Sequence, residues 1–344
     1  MKITTVGIDL AKNVFQVHGV DERGQAVLRK QLKRGQVVQF FAKLAPCLIG
    51  MEACASAHHW ARKLQSLGHN VKLMAPQFVK PYVKGNKHDA ADAEAICEAV
   101  RRPNMRFVAV KTVEQQAILA VHRGRQGLVK ARTAQANQIR GLLGEFGIAI
   151  AKGFNHVTEA LPGILEDAEN GLPGAFRELL RRLGENLKHL HEQAGELERE
   201  IVRWHRQNEA SCRVAAIDGI GPLTASALVA TVGDASSFKN ARQVPAWLGL
   251  VPRQQSTGGK PKLLGMSKRG DPYVRTLLIH GARAVIQAAA RKPRSDPWLT
   301  ALLARRNKNV ATVALANKNA RIAWALLAHG RQFERDYTPM RAAG

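Results

Sequence analysis

The residues Ile3-Thr4-Thr5-Val6-Gly7-Ile8-Asp9-Leu10 form an apolar, β-branched run, and only Ala11-Lys12-Asn13 separate it from a second, Val14-Phe15-Gln16-Val17-His18-Gly19-Val20. Two strand-length runs joined by so short a polar link predict an antiparallel hairpin, and a chain that opens on a hairpin has to complete a sheet around it. The first strand closes on a carboxylate, Asp9. Glu52 closes a later apolar run, Cys47-Leu48-Ile49-Gly50-Met51, and Asp89 and Asp92 stand three apart where the alanine-rich stretch 89–95 reads as a helix start. Residues three apart share a helix face, and acids in a first turn are favoured by the helix dipole. Four acids at strand ends and a helix start are thus placed to meet.

Singly, Asp9 reads as a turn residue and Asp89 as an N-cap. Together the four make an oxygen-rich site, and hard carboxylate oxygens suit Mg²⁺ or Mn²⁺ rather than zinc. A leading hairpin closed by Asp, an acid on a later strand and a helical Asp pair is the layout of ribonuclease-H-like folds, where two metal ions bracket a scissile phosphate. The expected fold class is α/β plus all-α. Strands are expected near 3–9, 14–20, 25–31, 47–52, 70–74 and 106–110, with helices near 35–44, 57–67 and 89–101.

The charge balance points to the partner. Lys and Arg number 52 against 27 Asp and Glu, a net charge of +25 over 344 residues. From Val251 to Gly330 fifteen Lys and Arg face only two acids, Asp271 and Asp296. Such an asymmetry marks a nucleic-acid surface, because neutralising phosphates releases condensed counterions. No stretch approaches the roughly 20 apolar residues of a membrane span, and no apolar signal segment opens the chain, so the expected location is the cytoplasm or bacterial nucleoid. The four cysteines (Cys47, Cys54, Cys97, Cys212) lack a Cys-x-x-Cys pair and read as buried free thiols, and His58-His59, His189 and His191 as helix-surface residues.

From Val113 to about Leu143 the pattern is one long helix carrying Arg123, Arg125, Lys130, Arg132 and Arg140, suited to lie along a nucleic-acid backbone. Residues 148–173 look looser. Then Phe176, Leu180, Leu183, Leu187, Leu190, Ala194, Leu197, Ile201 and Trp204 alternate steps of four and three, a coiled-coil seam that serves equally for a hairpin with the preceding helix or for a subunit contact. The division expected is 1–110, 111–210 and 211–344. The last part reads as helical, with Ile217-Asp218-Gly219-Ile220-Gly221-Pro222 ahead of a helix in the helix-hairpin-helix pattern, where Gly219 and Gly221 let backbone N–H groups approach a DNA phosphate.

A second constellation spans Pro252-Arg253-Gln254-Gln255-Ser256-Thr257-Gly258-Gly259-Lys260, then Lys262 and Met266-Ser267-Lys268-Arg269-Gly270. This reads either as a flexible loop or as a hydroxyl presented to a phosphate whose charge is met by Arg253, Lys260, Lys262, Lys268 and Arg269. No His stands nearby as a base.

In order along the chain, Gly7-Ile8-Asp9, Met51-Glu52-Ala53, Lys87-His88-Asp89-Ala90-Ala91-Asp92-Ala93, Gly219-Ile220-Gly221 and Pro252 to Gly259 resemble the DEDD transposases of bacterial insertion sequences, the IS110 family with its IS1111 branch. The resemblance implies an N-terminal RuvC-like domain in which Asp9, Glu52, Asp89 and Asp92 bind Mg²⁺. It also implies a C-terminal domain whose serine forms a covalent 5′-phosphoserine link to donor and target DNA. An element-encoded guide RNA and assembly from dimers to a tetramer are implied likewise. Ser256 is chosen as the nucleophile for its distance to Met266-Ser267-Lys268 and its less hindered primary hydroxyl, with Thr257 as the other candidate. The main alternative is a metal-only Holliday-junction-type endonuclease, which needs the acids but not Ser256. Actin-like sugar kinases also open on Gly-Ile-Asp, but they need a later Asp-Gly-rich phosphate loop that this chain lacks. A noncatalytic RNA-binding protein would leave the acids unexplained.

Overall fold

The computed structural model describes residues 2–83, 89–291 and 296–334, so Lys87 and His88 of the acid motif lie outside the described residues. Contacts divide the chain into two units, Met1–Val113 with Val232–Ser237, and Glu114–Thr231 with Phe238–Gly344.

The first unit is a six-stranded sheet with helices. The strands are β1 (Thr5–Leu10), β2 (Val14–Val20), β3 (Ala26–Lys33), β4 (Leu48–Glu52), β5 (Asn70–Met74) and β6 (Phe107–Val108), and their order is β3-β2-β1-β4-β5-β6. The first three form an antiparallel meander, β4 and β5 add parallel beyond β1, and β6 returns antiparallel. All six strands lie where the sequence pattern predicts them, within a residue or two at their ends. The helices are α1 (Val37–Ala42), α2 (Ala57–Gln65), α3 (Pro76–Val79) and α4 (Asp89–Val100).

Period-2 alternation sorts the two faces of this sheet. Val6, Ile8, Ile49, Met51, Val71 and Leu73 point one way and bury against Val37 and Phe41 of α1 and Trp60 and Leu64 of α2. On the other face β1 and β4 present Gly7 and Gly50, and α4 lies directly on them. A Cβ on Gly7 would meet the Ala93 carbonyl oxygen at 2.2 Å, and one on Gly50 would meet Val100 at 2.8 Å. The alanines of α4 answer these glycines, with Ala93, Ala95 and Ala99 almost wholly buried.

The second unit holds α5 (Val113–Gly144, from Glu114 on), α6 (Phe154–Glu166), α7 (Gly174–Gln207), α8 (Glu209–Ala215), α9 (Pro222–Val232, as far as Thr231), α10 (Gln243–Trp247), β7 (Pro252–Thr257), β8 (Lys260–Met266), α11 (Pro272–Ala289), α12 (Pro297–Arg305) and α13 (Lys308–His329). The long helices α5 and α7 pair antiparallel, for Trp204 donates to Glu114 at 2.9 Å at one end and Asn186 to Gln135 at 2.7 Å further along. Leu180, Leu187, Ala194 and Ile201, seven apart, are the buried row of α7. Leu183, Leu190, Leu197 and Trp204 are half-buried.

Three expectations are corrected. Residues 154–166 are helical rather than loose, because Val157 and Leu161 bury against Ile139, Leu143 and Leu180. The C-terminal part is not purely helical, since β7 and β8 form a hairpin whose turn residues Gly258 and Gly259 both have positive φ. Only Cys47 and Cys97 are buried; Cys54 and Cys212 are exposed. Among the described residues no helix is long and apolar enough to cross a membrane.

Candidate active site

Asp9 closes β1 and faces the side on which α4 lies, being two residues beyond Gly7. The N-terminal turn of α4 carries Asp89 and Asp92. Close packing of α4 on the sheet brings the three together, so that one carboxylate oxygen from each lies within 4.8 Å of the others. Glu52 is outside that trio. It is the next residue after the Ile8–Met51 register pair of β1 and β4, which puts it beside Asp9 on the same sheet face. Asp9, Glu52 and Asp92 are half-buried and Asp89 is exposed. Three carboxylates this close repel unless a cation sits between them, and their hard oxygens fit a divalent metal. Beside them stands Cys54, whose thiol is held above its usual range by desolvation and then by the charges of Glu52 and Asp9.

The second constellation is a projecting blade. Every residue of β7 is exposed, and so are Lys260 and Lys262 of β8. Register sorts its two faces: Thr257 pairs with Lys260 and Gln255 with Lys262, whereas Ser256 pairs with Pro261 and Gln254 with Leu263. Directly opposed residues share a face. Lys260 and Lys262 therefore stand on the side of Thr257, and Ser256 stands with Gln254, whose side-chain nitrogen donates to the Ser256 hydroxyl at 2.8 Å. The blade is firmly rooted. Ser267 N donates to the Val251 carbonyl, Lys268 N to that of Gly249, and Arg275 clamps the carbonyls of Leu248 and Arg269. Lys268 itself adopts a left-handed φ of 54°.

Most basic residues of α5 are engaged within the chain. Arg125 holds Glu198 through two nitrogens at 3.0 and 2.7 Å, Arg123 pairs with Asp271 at 3.1 Å, Arg132 contacts His191, and Arg140 donates to the Ile150 carbonyl. Lys130 is exposed. Asp271 and Asp296, the two acids of the basic C-terminal stretch, are N-caps of α11 and α12. Gly219, with φ of 87°, packs its backbone on α11, where a Cβ on Gly281 would lie 1.8 Å from its carbonyl oxygen; Gly221 is exposed with open space around it.

A buried network ties these elements together and had no signal in the sequence. His122 of α5, with no exposed surface, contacts the Tyr273 hydroxyl at 3.0 Å through Nδ1 and the Ser226 hydroxyl at 3.1 Å through Nε2. Ser226 donates to the Pro222 carbonyl at 2.6 Å. Tyr273 O–H then donates to Nδ1 and Nε2–H donates to Ser226, which fixes one neutral tautomer.

Comparison with known proteins decides the family. Residues 6–148 match the family described as DEDD_Tnp_IS110, transposase, and residues 212–296 match Transposase_20, transposase IS116/IS110/IS902 family. The chain is 56% identical over 329 residues, 95% of this chain and 97% of the relative, to the "Probable family 20 transposase" of Pseudomonas aeruginosa. It is 47% identical to the transposase for insertion sequence element IS1111A of Coxiella burnetii, over 94% of this chain and 90% of that one. The chain belongs to the IS110 family of insertion-sequence transposases. A third relative, the transposase for insertion sequence element IS1328 of Yersinia enterocolitica, is 45% identical over 97% of this chain and 99% of its own. As an IS110-family transposase the protein is a DNA-processing enzyme. Its DEDD match contains all four acids, and its Transposase_20 match contains the whole hairpin from Pro252 to Met266.

Proposed function

We propose that this transposase cuts and exchanges DNA strands with two sets of residues: the acids Asp9, Glu52, Asp89 and Asp92, and the hydroxyl of Ser256. The observation that carries the reading is the convergence of Asp9, Asp89 and Asp92 within 4.8 Å. These acids hold Mg²⁺ or Mn²⁺, which when bound stabilises the attacking and leaving oxygens of an in-line displacement at phosphorus. The order β3-β2-β1-β4-β5 with Asp9 on the central strand supports a RuvC-like, ribonuclease-H domain over 1–110.

In the chemical step the Ser256 oxygen attacks the phosphorus, a serine–phosphate bond forms, and the bond from phosphorus to the 3′ oxygen breaks. The serine proton ends on that departing oxygen, leaving a 5′-phosphoserine and a free 3′ hydroxyl. Gln254, donating to the Ser256 oxygen, leaves its O–H free to be given up. Arg253, Lys260, Lys262, Lys268 and Arg269 meet backbone phosphates, as do Gly219, Gly221 and Lys130, while Arg125 and Arg132 brace α5 against α7 and Arg123 ties it to the N-cap of α11. We read 111–210 as a coiled-coil module and 211–344 as the serine-bearing module with a helix-hairpin-helix. Guidance by an element-encoded RNA and assembly from dimers to a tetramer follow from the family resemblance.

Asp9→Asn and Asp92→Asn test the reading. Each is expected to abolish strand cleavage in Mg²⁺ and to weaken Mn²⁺ binding, with the circular dichroism spectrum kept. Full cleavage in EDTA, or by Asp9→Asn, contradicts the metal role. A second reading, a metal-only endonuclease, is favoured by one observation: Lys260 and Lys262 stand on the Thr257 face of the blade and not on that of Ser256.

A further inference from the structure

A cavity of about 660 Å³ lies between α4 and the β2–β3 hairpin, with Gln16, His18, Arg29, Gln31, Tyr82 and Arg101 in its lining. Strand register ties it to the acids. Asp9 pairs with Gln16 and Gln16 with Gln31, while Gly7 pairs with His18 and His18 with Arg29. Directly opposed residues share a sheet face and stand about 5 Å apart, so the cavity begins on β2, the strand next to that of Asp9, and runs outward over β3.

Its chemistry is divided. The sheet wall carries the amides of Gln16 and Gln31 and the imidazole of His18, which is 6% exposed. Burial holds the His18 pKa below the usual imidazole range, so the ring is neutral and offers one donor and one acceptor. Glu94 and Glu98 also line the space and disfavour an anion inside it. Amides and a neutral imidazole match the mixed donor and acceptor edge of a nucleobase, and Tyr82 adds an aromatic wall. Arg29 and Arg101 supply the cations that a flanking phosphate requires.

We propose that this cavity takes a nucleobase of the DNA strand whose phosphate the acids hold, turned out of its stack beside the cleaved position. The proposal rests on the reading that Asp9, Glu52, Asp89 and Asp92 act on a DNA phosphate. Placing the base there fixes the sugar–phosphate on either side of it and so sets which phosphate reaches Asp9.

The 344-residue protein, without divalent metal, is titrated with the four deoxyribonucleoside 5′-monophosphates, the four ribonucleoside 5′-monophosphates and deoxyribose 5-phosphate, binding being read by saturation-transfer NMR. At least one mononucleotide is expected to bind about tenfold more tightly than the baseless sugar phosphate, as hydrogen bonds to one base edge and one stacking wall supply. That margin is expected to vanish in Gln16→Ala and in Gln31→Ala, the latter at an exposed position that does not threaten the fold, and to persist in Lys188→Ala, at an exposed position of α7. Equal binding of deoxyribose 5-phosphate would reduce the cavity to an anion site and overturn the proposal. So would a margin unchanged in both glutamine variants, or tighter binding of ribonucleotides, which would assign the cavity to RNA. The titration involves neither metal nor cleavage, so its failure is separable from failure of the acids to cut DNA in the Asp9→Asn comparison.

Discussion

A Cβ placed on Gly7 would stand 2.2 Å from the carbonyl oxygen of Ala93. That contact sets the height of α4 above β1, and with it the distance from Asp9 to Asp89 and Asp92. Gly7→Ala forces the helix off the sheet. It is expected to cost about 1–3 kcal/mol, as overpacking does, and to weaken Mn²⁺ binding, measured by titration calorimetry alongside thermal melts. Gly127→Ala on α5, where nothing lies within 4 Å, is the control and should be neutral or stabilising.

Leu187 is fully buried between α7 and its neighbours. Leu187→Asp places a charge in that core and is expected to cost several kcal/mol. Because the partner residues Ala136, Ile139 and Leu143 are on the same chain, the variant should lose helical signal and melt early. A fully folded variant that merely sediments as a smaller species would show instead that the row serves a subunit contact.

Stability should fall in acid through buried histidines. Burial, and then the charge of Arg125, push the His122 pKa down to about 4. Its folded-state value lies below the unfolded one, so the stability it contributes is complete above about pH 6.5 and is lost as pH falls toward 4. The full loss is on the order of 3 kcal/mol for this one group. His58, pushed down to about 4 by burial and then by Lys111 and Arg62, acts in the same direction in the other unit. His122→Gln, which keeps a donor and an acceptor but does not titrate, should flatten the pH dependence of the melting temperature. An unchanged profile in that variant would place the acid sensitivity elsewhere.

The strands and the placement of the four acids were legible because both depend on local pattern: alternation fixes which face Asp9 takes, and a three-residue spacing fixes how Asp89 and Asp92 leave a helix. The closeness of α4 to the sheet was written in Gly7 and Gly50, yet it has meaning only once the helix is known to lie there. The arginines of α5 show the limit of such reading. Arg125 looks like a phosphate ligand until Glu198, 73 positions away, is seen to hold it. The Gly258-Gly259 pair left a loop and a tight turn equally open, and the register that parts Ser256 from Lys260 follows from the strand pairing.

The covalent intermediate offers the most direct test of the account. A DNA substrate nicked beside the cleaved position prevents religation and should trap a protein–DNA adduct that survives denaturation, with mass spectrometry of the digested product placing the phosphate on Ser256. Ser256→Ala should form none, whereas Thr257→Ala should form it at a reduced rate at most; DNA binding should persist in both, since affinity comes chiefly from Lys and Arg contacts to phosphate. An adduct mapped to Thr257 would move the nucleophile to the cationic face of the blade, and no adduct with the wild-type protein would contradict serine chemistry altogether.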